Sequence, residues 1–149
     1  MKSLFEEVNL TEMLERINKL NKDAKPQWGS MNVSQMLVHC TVTLKLAFGE
    51  IKAERNEKNL ELGKMVKERV LKTEVFGKNS PTSKEFLVNS NYDFEESKAE
   101  LINYLNRFVK CDIESTKTEM HPYFGDLPVK EWDMIIWKHL NHHLIQFGV

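Results

Sequence analysis

Four stretches of the chain place apolar residues three and four positions apart, which is the spacing of an amphipathic helix. The first predicted helix begins at Asn9 or Thr11, since both residue types cap helices, and it ends near Asn21. The second begins after the cap residue Asn32 and ends at Gly49, because glycine favours the C-terminal end of a helix. The first part of the chain therefore predicts two helices.

The last sixty residues predict two more helices. Asp93 is a cap residue with Glu96 three positions further on, as in a capping box, and the helical pattern fades near Cys111. Pro128 suits the first position of a helix, and the apolar pattern that follows it ends with Gly148. The chain is thus predicted to be all-α.

A long connection separates the second and third predicted helices. Residues 51–91 lack a continuous apolar pattern, although 58–71 predict a polar helix and 76–91 predict a loop. The charged residues between Lys64 and Arg69 predict a solvated helix face. Connections of this length are uncommon in compact domains and are often functional. We predict one domain, residues 1–149, folded as a four-helix bundle with a long crossover between helices two and three.

Composition agrees with long helices and narrows the possible partners. The 149 residues include only six Gly and four Pro, which disfavours a fold of many short strands. Basic and acidic residues number 21 and 22, so we expect no nucleic-acid partner and no anionic membrane surface. No apolar run approaches the ~20 residues of a membrane span, and the N-terminal segment MKSLFEEVNLTEM is acidic where a leader peptide is apolar. We expect a soluble, cytoplasmic protein.

Three of the five histidines lie near the end of the fourth predicted helix. His139 and His143 are four positions apart, so they project from one helix face and can chelate one metal ion. His142 lies about 100° around the helix from His143 and is poorly placed to join them. Trp132 and Ile136 share the face of the pair. This face should therefore point into the bundle.

A third histidine is predicted to reach the same level. If the helices run up-down-down-up, the start of the second helix lies beside the end of the fourth. His39 is then about 10 Å from its helix start, and His139 and His143 are about 12 and 6 Å from their helix end. On this geometry alone, a shared metal ion and three independent buried histidines both remain open. Because ligands must be neutral, metal affinity is expected to fall below a pH of about 6.5.

Polar residues surround the three histidines in the predicted helices. Gln35 and Thr43 flank His39 by four positions, and Gln146 follows His143 by three. A polar cluster inside an apolar bundle costs free energy unless its hydrogen bonds are satisfied. A metal ion with water at its open position would satisfy it. We expect Gln35, Thr43 and Gln146 to support the metal site or to line a substrate mouth.

The remaining candidates have alternative interpretations. His121 is either a general base or substrate-binding group over the metal, or the anchor of a loop whose Tyr123 and Phe124 close one end of the bundle; we favour the anchor. Cys40 adjoins His39 but points elsewhere on the helix, so we interpret it as a small core residue rather than a nucleophile. With only two cysteines, the chain is not a disulfide scaffold.

Three segments of the sequence resemble a known family. They are Trp28-Gly-Ser-Met running on to Gln35-Met-Leu-Val-His-Cys, His121-Pro-Tyr-Phe-Gly, and Lys138 to Gly148. The last contains H-x-x-H-H-L-I-Q, which resembles the H-x-x-H-H-R-G-Q motif of the DinB-like superfamily of metal-binding bundles, with Leu144 and Ile145 in place of Arg-Gly. An uncharacterised branch of that superfamily shares all three segments. The resemblance extends over the whole chain.

The resemblance implies an up-down-down-up four-helix bundle, often dimeric, with zinc or nickel held by His39, His139 and His143. Characterised relatives are thiol S-transferases that use low-molecular-weight thiols such as bacillithiol, and mycothiol-dependent enzymes. We therefore expect a metal-dependent transferase or hydrolase acting on a small molecule, in which the metal lowers the pKa of a bound thiol. The alternative is a non-catalytic binding or stress-response protein with structural histidines.

Overall fold

Helices make up the regular structure of the protein in the computed structural model, which describes residues 2–73, 76–78, 82, 84–112 and 118–149. These residues contain five α-helices and no β-strand, which confirms the all-α prediction. The helices are α1 (Glu7–Lys19), α2 (Val33–Ala47), α3 (Glu57–Lys72), α4 (Phe94–Phe108) and α5 (Val129–Gln146), with a 3₁₀ turn at Lys84–Phe86. No helix in the described part of the chain is long and apolar enough to cross a membrane.

Two predicted helix starts are confirmed by their side-chain caps. The side chain of Asn32 accepts a hydrogen bond from the Gln35 backbone N–H at 2.9 Å, and Gln35 returns one by accepting from the Asn32 N–H at 3.0 Å. Asp93 accepts from the Glu96 backbone N–H at 2.9 Å and begins α4. These bonds satisfy N–H groups that a helix start would otherwise leave without partners.

Two other predicted boundaries need correction. Neither Asn9 nor Thr11 caps α1, which begins after Glu6. Asn9 lies inside the first turn, where its side-chain amide donates to the carbonyl of Ser3 and to the carboxylate of Glu6. Pro128 occupies the cap position of α5, one residue before the first helical position.

One hydrophobic core joins the faces of α1, α2, α4 and α5. Trp132 of α5 and Phe108 of α4 are among its largest fully buried side chains. Cys40 of α2 is buried in this core, as predicted, and its sulfur lies 3.8 Å from that of Met36. Burial raises the pKa of the Cys40 thiol, so this cysteine is a packing residue.

The crossover contains α3, whose bounds confirm the polar helix predicted for 58–71. Only Leu60 and Gly63 of α3 are buried, which leaves most of its polar face exposed. Within the predicted loop 76–91, the described residues include the 3₁₀ turn, while 79–81 and 83 lie outside them.

Three contacts hold α3 against the rest of the protein. The buried Lys138 of α5 donates to the carbonyl of Leu71 at 2.7 Å and also to that of Val70, at the C-terminal end of α3. Lys67 forms an ion pair with Glu131 at 2.7 Å. A Cβ atom on Gly63 would lie 1.7 Å from the carbonyl oxygen of Tyr123, so a helix with any larger residue there would have to move. These contacts place α3 beside the loop that contains His121.

Candidate metal centre

Three histidines from two helices meet at one point. His39 of α2 and His139 of α5 have their Nε2 atoms 2.8 Å apart, and the Nε2 atoms of His139 and His143 are 3.1 Å apart. Each histidine offers a ring nitrogen within 4.8 Å of those of the other two. The face of α5 that carries this pair also carries the buried Trp132 and Ile136, so it does point inward. The structure thus brings together the three predicted ligands.

A hydrogen bond at Nδ1, on the side of the ring away from the cluster, fixes the tautomer of His39. Its Nδ1 atom lies 2.8 Å from the backbone carbonyl of Phe86. A carbonyl can only accept, so Nδ1 carries the hydrogen and the Nε2 lone pair of this neutral ring is free. The lone pair points at His139.

His143 is held in the same tautomer through Gln146. The Gln146 amide nitrogen donates to the carbonyl of Trp28 at 2.5 Å, which leaves its oxygen 2.7 Å from Nδ1 of His143. That oxygen can only accept, so His143 donates from Nδ1 and presents a lone pair at Nε2. A backbone carbonyl more than a hundred residues away therefore fixes the imidazole through one side chain.

His139 has a hydroxyl as its outer partner. Its Nδ1 atom lies 3.2 Å from the Oγ1 atom of Thr43, which is itself 3.5 Å from the carbonyl of His39. The hydroxyl can donate weakly to that carbonyl and accept from His139. All three imidazoles then have Nδ1 satisfied by the protein and Nε2 turned toward a common centre.

This arrangement fits the requirements of a metal ion with histidine ligands. Three lone pairs that face one another repel unless a cation or a proton lies between them. Two nitrogens bound tetrahedrally to zinc lie about 3.3 Å apart, close to the two shorter separations in the cluster. Metal-bound histidines characteristically donate their other ring N–H to a carbonyl or side-chain oxygen, as these three do. The cluster can therefore bind a metal ion.

The buried environment keeps the three rings neutral. Burial lowers the pKa of His39, although the hydrogen bond to Phe86 opposes this shift, and burial together with the neighbouring His39 and His142 lowers the pKa of His143 to about 3. The pKa of His139 lies well below its ordinary value for the same two reasons. The neutral form that a metal requires is thus favoured at lower pH than in free histidine. We therefore expect the loss of metal affinity to begin at a pH below that expected from free histidine.

A cavity of about 1050 Å³ opens onto the cluster. The three histidines line it together with parts of α2, α3, α5 and the crossover. Its apolar walls combine aliphatic side chains with aromatic rings, among them Trp28, Phe76, Phe86 and Phe124. This is the size and character of a small-molecule site.

His121 also lines this cavity but does not belong to the histidine cluster. Its Nδ1 atom accepts the backbone N–H groups of Tyr123 at 3.1 Å and Phe124 at 3.2 Å. The ring stacks on that of Phe124, with 4.6 Å between centroids, and burial lowers its pKa to about 3. This is the geometry of a loop anchor, and it occupies the lone pair that a general base would need.

The other predicted residues divide into two groups. Thr43 and Gln146 contact the cluster, as described above. Gln35 lines the cavity, but both ends of its amide have other partners. The oxygen accepts the backbone N–H of Asn32 in the capping box, and the nitrogen donates to the carbonyl of Ser90 at 3.2 Å. His142 packs against the Trp28 ring, with 5.5 Å between centroids, and is not part of the cluster.

Sequence reasoning missed three contributors to the site. The carbonyls of Phe86 and Trp28 orient His39 and Gln146, and no side-chain signal distinguishes one carbonyl from another. Lys138 fixes α3 beside the cavity, and a lysine on a largely buried helix, next to His139, is a signal that could have identified it.

The fold and the site together define an all-helical protein with a three-histidine cluster at the wall of a cavity. The family described as "Protein of unknown function (DUF1569)" matches residues 4–148. The chain therefore belongs to this family. No curated protein and no solved structure matches the chain.

Proposed function

We propose that His39, His139 and His143 hold a divalent transition metal, zinc or nickel, in a metal-dependent enzyme that acts on a small molecule. The observation that carries this proposal is the convergence of three Nε2 lone pairs whose rings are each oriented by a hydrogen bond at Nδ1. Imidazole nitrogens suit both metals. Three protein ligands are the number typical of catalytic zinc sites, which keep a position open for substrate.

The proposal includes a DinB-like bundle with up-down-down-up topology. Contacts between α2 and α5 support an antiparallel pair, because His39 contacts both His139 and the later His143, whereas Thr43, one turn further along α2, contacts the earlier His139. An up-down-down-up order also requires α4 to run parallel to α2.

Contacts of the other pairs fit the same order. Lys45 of α2 pairs with Glu100 of α4, and the later Phe48 meets the later Phe108, as in a parallel pair. Between the N-terminal region and α5, Leu4 bonds to Asp133, and Arg16 bonds to Asn141. Both residue numbers increase together, which supports a parallel arrangement of α1 and α5.

Transfer of a small thiol to an electrophile is the reaction that best suits the cavity, and it would make the protein a thiol S-transferase. A bound metal would act there as a Lewis acid that lowers the pKa of a thiol or of water. The described residues that line the cavity include no cysteine, aspartate or glutamate, so they supply neither a thiol nucleophile nor a carboxylate base. The nucleophile would then be a low-molecular-weight thiol: its proton passes to solvent, its sulfur bonds to an electrophilic carbon, and the leaving group departs with the bonding electrons.

Metal content tests the first part of this proposal. Untagged protein should contain about one zinc or nickel ion per chain by elemental analysis. His139→Ala should lose it, because the central imidazole contacts both others. His142→Ala is the matched control, since it removes a histidine from the same helix outside the cluster, and it should keep the metal. Metal-free wild-type protein, after dialysis against zinc or nickel, would overturn the proposal.

Turnover tests the second part. Zinc- or nickel-loaded protein should accelerate the reaction of a small thiol with a chloronitrobenzene, and the chelated protein should not. Loss of the rate in His39→Ala with retention in His142→Ala would support the transferase. A loaded protein that hydrolyses activated esters without thiol would favour the hydrolase. A loaded protein inert to both substrates would favour the non-catalytic alternative.

A further inference from the structure

The described residues that line the cavity carry a positive charge and no negative one, while the carboxylate of Glu85 acts on His121 from outside this lining. Among the described residues that line it, Arg69 of α3 is the only one that carries a formal charge at neutral pH, and there is no carboxylate. Lys78 adds a positive charge against one wall, since its Nζ atom lies 4.3 Å from the centroid of the Trp28 ring. The protein as a whole has a net charge of −1, so this local excess is not a consequence of composition.

The side chain of Arg69 differs from those of the other three arginines in having no partner among the residues that the structure describes. Arg16 donates to Asn141 and to the carbonyl of Val149, Arg55 pairs with Glu57, and Arg107 pairs with Glu50. The guanidinium of Arg69 makes no hydrogen bond or ion pair with any residue that the structure describes. Its planar group of N–H donors suits a carboxylate or a phosphate.

A metal ion would add to the excess of positive charge at the cavity. Three neutral imidazoles leave the full double charge of a divalent ion uncompensated, whereas a carboxylate ligand would have reduced it. In a cavity with aromatic walls, opposite charges attract more strongly than in bulk water. An anionic ligand would therefore be favoured at both the metal and Arg69.

We propose that the cavity binds an anionic amphiphile, with its apolar body against the aromatic walls and its carboxylate- or phosphate-like group paired with Arg69. The metal end of this ligand rests on the proposed function, but the pairing with Arg69 does not. The apolar side chains of Leu62 and Val66 on the same helix extend the walls toward Arg69. The histidine cluster and Arg69 would thus recognise the two ends of the ligand, and the distance between these two groups sets its length.

Matched thiols test the metal-dependent form of the proposal. ω-Mercaptoalkanoates and ω-mercaptoalkanols of equal chain length differ only in the terminal charge. Titrated into cobalt-loaded protein and followed by the thiolate-to-cobalt absorption band, the carboxylates should bind about three- to tenfold more tightly once the chain spans the cavity, as expected for one exposed charge-assisted pair.

Variants of Arg69 assign the preference to this side chain. Arg69→Gln should abolish the difference between the two series, and Arg69→Glu should reverse it. Arg69→Lys should retain part of it, since the charge remains but the planar fork is lost. Arg55→Gln, an exposed arginine outside the cavity, should change nothing. A carboxylate preference that survives in Arg69→Gln would overturn the proposal.

A metal-free experiment separates this proposal from the preceding one. Tryptophan fluorescence of chelated protein, which contains Trp28 at the cavity wall, should report tighter binding of decanoate than of decan-1-ol in the wild type but not in Arg69→Gln. If cobalt does not bind but the decanoate preference depends on Arg69, the metal proposal fails alone. If cobalt binds and neither experiment shows a preference for the anion, the anionic-ligand proposal fails alone.

Discussion

The side-chain oxygen of Gln146 lies 2.7 Å from Nδ1 of His143, and the amide nitrogen of the same side chain donates to the carbonyl of Trp28. Gln146 therefore connects the histidine cluster to the segment that precedes α2. Both side chains are buried, so little bulk water competes for these bonds. The orientation of one imidazole thus depends on the position of a distant backbone.

Replacing Gln146 by Leu should weaken metal binding without removing a ligand. His143 would keep its ring but lose the acceptor that fixes its tautomer, and such losses typically lower metal affinity by about 10- to 100-fold. Competition with a chromophoric chelator measures this affinity. Ile145→Ala, an exposed neighbour, is the control and should bind as the wild type does. Unchanged affinity in Gln146→Leu would show that the bond at Nδ1 does not tune the site.

Gly29→Ala should disturb the same connection from its other end. Gly29 has a φ of +81°, and a Cβ atom there would lie 2.7 Å from the amide nitrogen of Gln146. The substitution should cost about 1 kcal/mol through the backbone and should also reduce metal affinity. Gly148→Ala offers a matched control, because its φ is +80° and its nearest contact is Gln27 at 3.4 Å.

The comparison of these two alanines separates strain from contact. Both variants should unfold at lower denaturant concentration, since both force a side chain into the left-handed region. Only Gly29→Ala should bind metal more weakly. Equal metal affinities in the two variants would show that Gln146 can move without consequence for His143.

His121 should make the metal-free protein less stable in acid. Its pKa in the folded state is about 3, against 6.5 for an unperturbed histidine, so the unfolded chain takes up the proton first. Stability from this residue is therefore fully present above pH 6.5 and is lost as the pH falls toward 3, by at most about 1.4 kcal/mol per pH unit. Urea unfolding at pH 6.5 and pH 5.0, with chelator present, measures this slope.

Two replacements distinguish the charge of His121 from its hydrogen bonds. His121→Asn keeps an acceptor for the N–H groups of Tyr123 and Phe124 but does not titrate, so its pH slope should be shallower than that of the wild type. His121→Ala also loses the acceptor and should be the less stable of the two at pH 6.5. A wild-type slope in His121→Asn would contradict the prediction.

Lys138→Met should release the C-terminal end of α3. The variant keeps the buried side-chain volume but removes the Lys138 donor from the carbonyls of Val70 and Leu71, of which that of Val70 keeps the hydroxyl of Thr73 as a donor. Burial lowers the pKa of Lys138, so removing its charge offsets part of the cost to global stability. The local effect should be larger: amide hydrogen exchange within α3 should increase while that of α2 and α4 does not. Lys64→Met, on the exposed face of the same helix, should leave exchange as in the wild type.

The sequence predicted best those features that have a side-chain signature. Periodic apolar residues located the helices, and Asn32 and Asp93 marked their starts because their side chains make the capping bonds. The start of α1 was missed because Glu6 makes no such bond, so nothing in the sequence marks that position. Helix starts without side-chain caps are set by tertiary contacts, which a single sequence does not display.

In the candidate site, too, the sequence predicted what side chains determine and missed what the backbone contributes. The spacing of His139 and His143 and the distance of His39 from its helix start predicted that the three meet, once an up-down-down-up order of the helices was assumed. The role of the Phe86 carbonyl was not predictable, since every residue has a carbonyl. Arg69 was assigned to a solvated face, and it is exposed; polar patterning does not distinguish bulk water from a cavity that opens to it.

The groups that orient the imidazoles are contributed by residues as far apart as Trp28 and Phe86. An unfolded chain retains only the local spacing of His139 and His143, which offers two ligands and no orientation. Metal should consequently bind the native state far better than the denatured one, and its free energy of binding should add to the free energy of unfolding. Thermal unfolding measured across a range of metal concentrations would then report the affinity of the site without any substrate.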